Sequence, residues 1–346
     1  MGRLNHRTVV VSLLALALVV WFLRGANAGD IAFHLRRARW DLLLVSFGSL
    51  VAAFVGRAIR WQYLLAPVGH VSFRAVFRTT VIGFGALGLL PVRMGDVIRP
   101  YLLARREGLS ATATFATVIM ERVLDLVTIL VLMAAYVWGF AREGSIPEQY
   151  LGPIETSSAV LGAGALGVLA VMWILATHPE RVGALAALMG RVLPGRLAGR
   201  VEATARTFSG GFAATRDVRA LVMAVVWSFP VWLFIAAQAW AVSIAFGIAM
   251  PFAGSFLLQA LLVIGVAVPT PGGVGSFHEA YRIGVTAFFG ASNAQAIAAA
   301  IVTHAIAYVP VVIAGIAFMA QDGLSMGGLQ GIAARPVPEP ARPAQE

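Results

Sequence analysis

A broken stretch inside an apolar region constrains this chain more than any other sequence feature. Residues 269–279 carry two prolines and three glycines, and no helix continues through such a run. The chain is 59% hydrophobic and 12% charged, with a mean hydropathy of +0.84, which is typical of a multi-spanning helical membrane protein. A bilayer tolerates broken backbone only where protein or a water-filled cavity satisfies it. The break therefore predicts a site and not a surface loop.

A second break of the same kind lies at residues 89–99. If the segment before it crossed the membrane fully, Arg93, Arg99 and the arginines that follow would lie outside, against the positive-inside rule. A segment that enters and returns on one side keeps them near the cytoplasm. We therefore predict one re-entrant helical hairpin near residues 79–103 and a second near residues 253–285.

The remaining apolar segments predict an all-α, polytopic fold of about six full spans plus the two hairpins. The spans are predicted at residues 9–23, 42–60, 115–138, 158–177, 221–246 and 295–319. We assign residues 1–320 to one transmembrane domain, with a basic cytoplasmic segment at 178–219 and a disordered cytoplasmic tail at 321–346. The basic segment either sets topology, which we favour, or binds anionic lipid.

The chain ends and its composition suggest where the protein resides. Both termini are predicted to be cytoplasmic by the positive-inside rule. The basic residues are all arginine in an alanine- and glycine-rich chain, which suggests a bacterium and therefore its inner membrane. Residues 26–28 resemble a signal-peptidase site, so cleavage of the first span stays open beside a retained span. With no cysteine, thiolate chemistry is excluded.

The two breaks form an internal repeat. Pro91 precedes Gly95 by four residues, as Pro271 precedes Gly275, and each unit continues through a Gly-x-Ser sequence into a predicted span. Three predicted crossings separate the hairpins, and an odd number inverts the second copy. Inverted repeats with broken helices are typical of secondary transporters. The predicted hairpin tips are Pro91, Gly95, Pro271, Gly272, Gly273 and Gly275.

Charged residues near the breaks are the candidates for substrate binding. Glu121 and Asp125 lie four residues apart on one helix face, so they form either an interfacial cluster or an ion-paired network with the first hairpin. Unpaired charges at the membrane centre would cost roughly 2.5–3.5 kcal/mol each. The candidate set is Arg93, Asp96, Arg99, Glu121, Arg122, Asp125, Glu279 and Arg282.

The sequence offers little support for an enzyme. It has no HExxH, GxSxG or Walker A pattern and no cluster with metal-ligand spacing, so we predict no metal and no cofactor. His278 and His304 stand alone, which favours hydrogen-bonded core residues over ligands. The glycines at 272–275 serve either the turn or a phosphate. The net charge of +10 reflects topology signals, so no nucleic-acid partner is expected.

Four ordered motifs resemble those of the lysylphosphatidylglycerol synthase transmembrane-region family, which is also called flippase-like. Residues 89–99 resemble its LLP-x-R-x-G-E-x-x-R motif, 121–125 its ERxxD motif, 57–61 its R-x-x-RW motif and 269–279 its P-x-PGG-x-G-x-x-E element. The resemblance spans most of residues 40–315. Asp96 replaces the more usual Glu, and Thr303-His304 stand near the place of an arginine in the last span.

The resemblance implies an integral membrane protein that translocates lipid, without the aminoacyl-transferase domain that the best-known members carry. We expect a flippase for a phospholipid or a lipid-linked anionic headgroup, with a lipid-biosynthesis enzyme as a further candidate partner. Two alternatives remain: a membrane-embedded enzyme acting on a lipid phosphate or sugar, and a non-transporting subunit of an envelope-lipid pathway. The lipid, the energy source and the oligomeric state are not specified by the sequence.

Overall fold

The computed structural model describes residues 6–24, 27–89, 94–139, 217–268 and 270–324, with isolated positions between 152 and 170. The described residues form helices and no strand. Some predictions concern positions outside these residues. They are the predictions for Pro91, Arg93, the span at 158–177, nearly all of the basic segment and most of the tail. The main helices are α1 His6–Leu23, α2 Ala28–Arg37, α3 Trp40–Leu65, α4 Phe73–Leu89, α5 Gly95–Glu107, α6 Ala111–Gly139, α7 Val218–Ala245, α8 Gly254–Ala267, α9 Ser276–Phe289 and α10 Asn293–Gln321.

Three of these helices, α3, α7 and α10, are long and apolar enough to cross a membrane. A fourth span is formed if α1 and α2, which meet at an 82° bend, count as one. The helical, polytopic prediction is therefore supported, while the described residues account for three or four of the six predicted spans. Gln321 and Asp322, at the start of the predicted tail, complete the end of α10.

Helix–break–helix units occur where the sequence predicts hairpins. Helices α4 and α5 pack against each other across residues 90–93, and α8 packs against α9 across a short 3₁₀ turn at Pro271–Gly273. Glycine permits the close approach of α4 and α5, since a Cβ on Gly95 would lie 2.0 Å from the Gly83 carbonyl oxygen. The first unit extends four to six residues beyond each predicted end of 79–103.

The eight helices α3–α10 form two matching sets of four. Helices α3 and α7 have 26 and 28 residues, and α6 and α10 have 29 each. Their contacts also correspond: α4 packs on α10 as α8 packs on α6, and α5 packs on α6 as α9 packs on α10. Left-handed glycines, Gly108 and Gly290, end α5 and α9. The central and most extensive contact joins α3 to α7.

Candidate functional site

A buried group of charged residues joins α3, α5 and α6. Arg57 and Arg60 are three residues apart on α3, as Asp96 and Arg99 are on α5, so each pair shares one helix face. We call the group the arginine–carboxylate cluster, and it consists of Arg57, Arg60, Asp96, Arg99, Glu121, Arg122 and Asp125.

Glu121 is the centre of the cluster. Its side chain is fully buried and accepts two hydrogen bonds from Arg99, at 2.5 Å from Nη2 and 3.2 Å from Nη1. Arg60 Nη2 lies 3.1 Å from Oε1 of the same carboxylate. Such a bidentate pair is the strong form of an ion pair, and it attaches the first helix–break–helix unit to α6. The predicted ion-paired network is therefore present at Arg99 and Glu121.

Asp125 extends the network to α7. Its Oδ1 accepts hydrogen bonds from Arg60 Nη1 at 2.7 Å and from Trp232 Nε1 at 2.9 Å. Arg60 Nη1 also donates to Ser228 Oγ at 3.1 Å. These contacts satisfy a carboxylate that would otherwise be costly to bury. Trp232 and Ser228 are site residues that sequence analysis missed, because they lie more than 100 positions from their partners.

The rim of the cluster is the pair Asp96–Arg122. Arg122 Nη2 donates to Asp96 Oδ1 at 2.6 Å, and the two side chains are 34% and 24% exposed. Arg122 Nη1 also donates to Asp125 Oδ2 at 3.4 Å. The network therefore reaches the surface of the described structure at the start of α5, next to the first break.

Arg57 is the least satisfied cation of the cluster. Its side chain is 9% exposed, and Nη1 lies 3.9 Å from Glu121 Oε1 and 3.8 Å from Asp125 Oδ2. This atom is buried and has no hydrogen-bond partner among the described residues. The guanidinium instead lies 4.8 Å from the ring centre of Phe84. Within the described residues, four arginines face three carboxylates, so the cluster carries one surplus positive charge.

Trp61 and Phe84 form the aromatic lining of the cluster. The Arg99 guanidinium lies 3.7 Å from the ring centre of Trp61, whose Nε1 donates to Thr117 Oγ1 at 2.9 Å. Phe84 lies within 6 Å of Arg57, Arg99 and Arg122. The Arg-x-x-Arg-Trp sequence at 57–61, whose family resemblance was noted from sequence without naming it as a binding site, thus contributes two cations and an aromatic ring to the buried site.

Glu279 and Arg282 form a separate group on α9. Arg282 makes a two-point contact with Glu279, with Nε 2.8 Å from Oε2, and its Nη1 donates to Asn293 Oδ1 at 3.2 Å. Trp21 Nε1 of α1 donates to Glu279 Oε1 at 3.3 Å. No contact in the described structure joins this group to the arginine–carboxylate cluster. The eight candidate residues therefore divide into two groups, with Arg93 outside the described residues.

The second break is held by two histidines. His304 Nε2 lies 2.8 Å from the Gly272 carbonyl oxygen, and the Gly275 N–H donates to His278 Nδ1 at 3.3 Å. Both rings therefore hydrogen-bond broken backbone, in keeping with the core interpretation of these residues. A Cβ on Gly272 would lie 3.1 Å from the Gly88 carbonyl oxygen, so the break contacts the end of α4. The described residues contain no group of three potential metal ligands.

Replacing His304 with phenylalanine is expected to destabilise the protein by about 1–3 kcal/mol. Phenylalanine fills the space of the imidazole but leaves the Gly272 carbonyl oxygen without its hydrogen bond. Thermal unfolding of the purified protein in detergent measures the change. His70→Phe is the control, because His70 is exposed. Equal midpoints for the two variants would contradict this role of His304.

A third charged group fixes the end of α10 to the first helix–break–helix unit. Arg78 Nη2 of α4 lies 2.7 Å from Asp322 Oδ1, and Arg106 Nη1 of α5 lies 3.4 Å from Asp322 Oδ2. Arg78 Nη1 also donates to Gln321 Oε1 at 3.0 Å. Both arms of the unit are thus attached to the same helix end, opposite the end at which Asn293 begins α10.

Comparison with known proteins agrees with this membrane architecture. The chain is 24% identical to glycosyltransferase AglD of Haloferax volcanii over 353 residues, which cover 94% of the chain and 56% of AglD. It is 23% identical to a UPF0104 membrane protein of Methanothermobacter thermautotrophicus over 330 residues, which cover 92% and 95%. The family model for the lysylphosphatidylglycerol synthase TM region matches residues 9–315. The chain therefore belongs to the lysylphosphatidylglycerol synthase TM region family and is a multi-pass membrane protein.

Proposed function

We propose that this protein moves a lipid with an anionic headgroup between the two leaflets of a membrane. The observation that carries the proposal is the surplus positive charge of the arginine–carboxylate cluster, and above all the buried Nη1 of Arg57, which makes two long ion-pair contacts but no hydrogen bond among the described residues. A cation buried in a membrane is costly unless an anion pairs with it. The phosphate of a lipid headgroup is such an anion, and guanidinium binds phosphate in a two-point geometry.

The cluster divides naturally into a fixed part and a binding part. Glu121 forms ion pairs with Arg99 and Arg60, so these two arginines serve mainly to hold α3, α5 and α6 together. Arg57 has the longest carboxylate contacts and is nearly buried, whereas the Asp96–Arg122 rim is partly exposed. In this proposal the phosphate enters when the Asp96–Arg122 pair opens, and it then contacts Arg57. Arg93 is close to this pair in sequence, three residues before Asp96. Asp96 is the carboxylate next to the first break, and Glu279 is the carboxylate next to the second.

The path across the membrane would come from an inverted repeat. The matching contacts of α3–α6 and α7–α10 support such a repeat, as does the contact between the second break and Gly88 at the end of α4. We propose that the two helix–break–helix units are re-entrant hairpins, opened alternately to opposite sides. The full arrangement would have six spans in the inner membrane of a bacterium, with both termini cytoplasmic.

The substitution Arg57→Gln tests the proposal. In vesicles reconstituted with the protein, we expect fluorescent phosphatidylglycerol to cross between leaflets at least about tenfold more slowly with this variant, since a hydrogen bond to a charged group contributes about 1.5–3 kcal/mol. Thermal stability should be unchanged or higher, because Arg57 Nη1 makes no hydrogen bond to a described residue. Dithionite quenching of the outer leaflet measures the crossing rate.

Arg74→Gln is the matched control, because Arg74 is an exposed arginine at the start of α4. This variant should transport at the wild-type rate. A wild-type rate equal to that of protein-free vesicles would overturn the proposal, as would an unchanged rate in Arg57→Gln. Fluorescent glucosylceramide, which has no phosphate, serves as the second cargo, and its crossing should not depend on Arg57.

The name of AglD favours one further candidate, a role in glycosyl transfer to or from a lipid. In that case the chain would be a membrane-embedded enzyme on a lipid phosphate or sugar, or would serve a separate transferase as a non-transporting partner. Analysis of lipids extracted after overexpression separates these functions. A new glycosylated lipid would support the enzyme, whereas an unaltered set of lipids with Arg57-dependent crossing would support the transporter.

A further inference from the structure

A cavity of about 440 Å³ lies where α1, α9 and the start of α10 meet. We call it the α1–α9 cavity, and its lining residues are Trp21, Arg24, Arg282, Thr286, Ala291 and Asn293. Asn293 is the first residue of α10, whereas the Arg78–Asp322 contact follows its last residue. At 1.5 Å per residue, the 29-residue helix separates the two ends by about 43 Å. The cavity and the Arg78–Asp322 contact are thus at opposite ends of a membrane-length helix.

The lining of the α1–α9 cavity is rich in hydrogen-bond donors. Arg282 uses three of its five N–H groups on Glu279 and Asn293, so two remain for a ligand. Arg24 adds a second, exposed guanidinium, and the Asn293 amide adds two N–H groups. The carboxylate that pairs with Arg282, Glu279, also accepts a hydrogen bond from Trp21 and is not among the lining residues. The ligand that suits these donors is an anion.

The local charge also favours an anionic ligand. Arg24 and Arg282 against Glu279 leave one positive charge at the cavity. The N-terminus of α10, capped by Ser292, presents the positive end of its helix dipole at the same place. Glu279 holds Arg282 through two bonds, so the guanidinium is oriented before a ligand arrives. A phosphate group suits all three features, which are the net positive charge, the helix N-terminus and the oriented guanidinium.

The surroundings indicate that the phosphate belongs to a lipid. Trp21 and Ile283, beside the two arginines on α1 and α9, are 56% and 46% exposed. A soluble phosphate compound gains nothing from such apolar side chains, whereas acyl chains pack against them, and tryptophan is typical of the headgroup level of a bilayer. The open cavity therefore combines a cationic end with an apolar approach.

We propose that the α1–α9 cavity binds the phosphate of an anionic lipid headgroup and is a second lipid site, distinct from the arginine–carboxylate cluster. The inference rests on the proposed function, in which it supplies the site at the other end of the path. Arg24 and Arg282 bind the phosphate, Asn293 binds its remaining oxygen or an ester oxygen, and Trp21 covers the headgroup. Transport would then run between two cationic sites and not from one site into free lipid.

A phosphatidylglycerol with a photoactivatable headgroup tests this site on the full chain reconstituted in nanodiscs. After illumination, mass spectrometry should find the lipid attached within residues 21–24 or 286–293. Arg24→Glu should reduce this attachment about tenfold, since reversal replaces an attractive contact with a repulsive one. Arg36→Glu, at an exposed arginine of α2 outside the cavity, should leave it unchanged.

Two controls make the outcomes distinct. Attachment at these residues should persist in Arg57→Gln, so that loss of transport in that variant does not count against the cavity. Attachment only elsewhere, or an equal reduction in Arg24→Glu and Arg36→Glu, would overturn the second site while leaving Arg57-dependent transport intact. Complete competition by millimolar glycerol phosphate would identify a soluble phosphate compound as the ligand and overturn the lipid assignment.

Discussion

Glu121→Gln is expected to lower the midpoint of thermal unfolding by about 10 °C, the largest effect expected from any single charge among the described residues. Glutamine keeps the shape of the side chain but removes the negative charge that Arg99 and Arg60 share. Both guanidiniums are fully buried, so neither can recover its lost interaction from water. Breaking a buried ion pair in this way costs about 3–5 kcal/mol. The measurement is thermal unfolding in detergent, followed by loss of the monodisperse peak.

Asp96→Asn provides the comparison within the same cluster. Asp96 pairs with Arg122 at a distance of 2.6 Å, but both side chains are partly exposed, so the loss should be at most about 1 kcal/mol. Raising the salt concentration should weaken the Asp96 contribution and leave that of Glu121 nearly unchanged, because salt screens exposed pairs far more than buried ones. Equal losses of stability in the two variants would contradict the arrangement of a buried centre and an exposed rim.

The contrast between Glu121 and Arg57 separates stability from function within one cluster. Removing the charge of Glu121 leaves Arg99 without its carboxylate and Arg60 with Asp125 alone, whereas removing that of Arg57 leaves three arginines facing three carboxylates. We therefore expect Glu121→Gln to lower stability and Arg57→Gln to spare it. A residue that is retained in a membrane interior without contributing to stability is a candidate for binding, which is why the functional proposal rests on Arg57.

Local sequence signals predicted the elements of the fold well. Apolar length predicted α3, α7 and α10, and proline and glycine marked the second break, where a 3₁₀ turn at Pro271–Gly273 lies between α8 and α9. The shared spacing of the breaks predicted an inverted repeat, which stays a prediction; the corresponding contacts of α3–α6 and α7–α10 are compatible with it. An ion-paired network between the 121–125 segment and the first hairpin was one of two interpretations that the sequence left open, and the pairing of Arg99 with Glu121 agrees with it.

The composition of the site was harder to predict, because it depends on contacts between distant residues. Arg57 and Arg60 carry the signal of an interfacial cluster, and only the packing of α3 against α6 and α7 buries them. Trp232 lies within a mostly apolar helix without a charged residue near it in sequence, so its neighbourhood does not indicate a hydrogen bond to Asp125. The contribution of Trp21 to the second charged group likewise requires α1 to pack on α9.

Gly95→Ala is expected to have the second large effect, through the backbone and not through charge. A Cβ at this position would lie 2.0 Å from the Gly83 carbonyl oxygen and 2.7 Å from the Leu87 side chain, far inside van der Waals contact. Backbone cannot move aside as a flexible side chain can, so α5 must separate from α4. The cost should reach about 3 kcal/mol, the upper end for overpacking. Thermal unfolding measures it.

The same displacement should abolish transport, because α5 carries Asp96 and Arg99 one and four residues after Gly95. Gly48→Ala is the matched control: this glycine lies inside α3 with open space around its Cβ position, so alanine should be neutral or slightly stabilising by helix propensity. In the vesicle assay, Gly48→Ala should match wild type while Gly95→Ala falls to the protein-free rate. A stable and active Gly95→Ala variant would mean that α4 and α5 are not held in this close contact, and the position of Arg99 beside Glu121 would then need another cause.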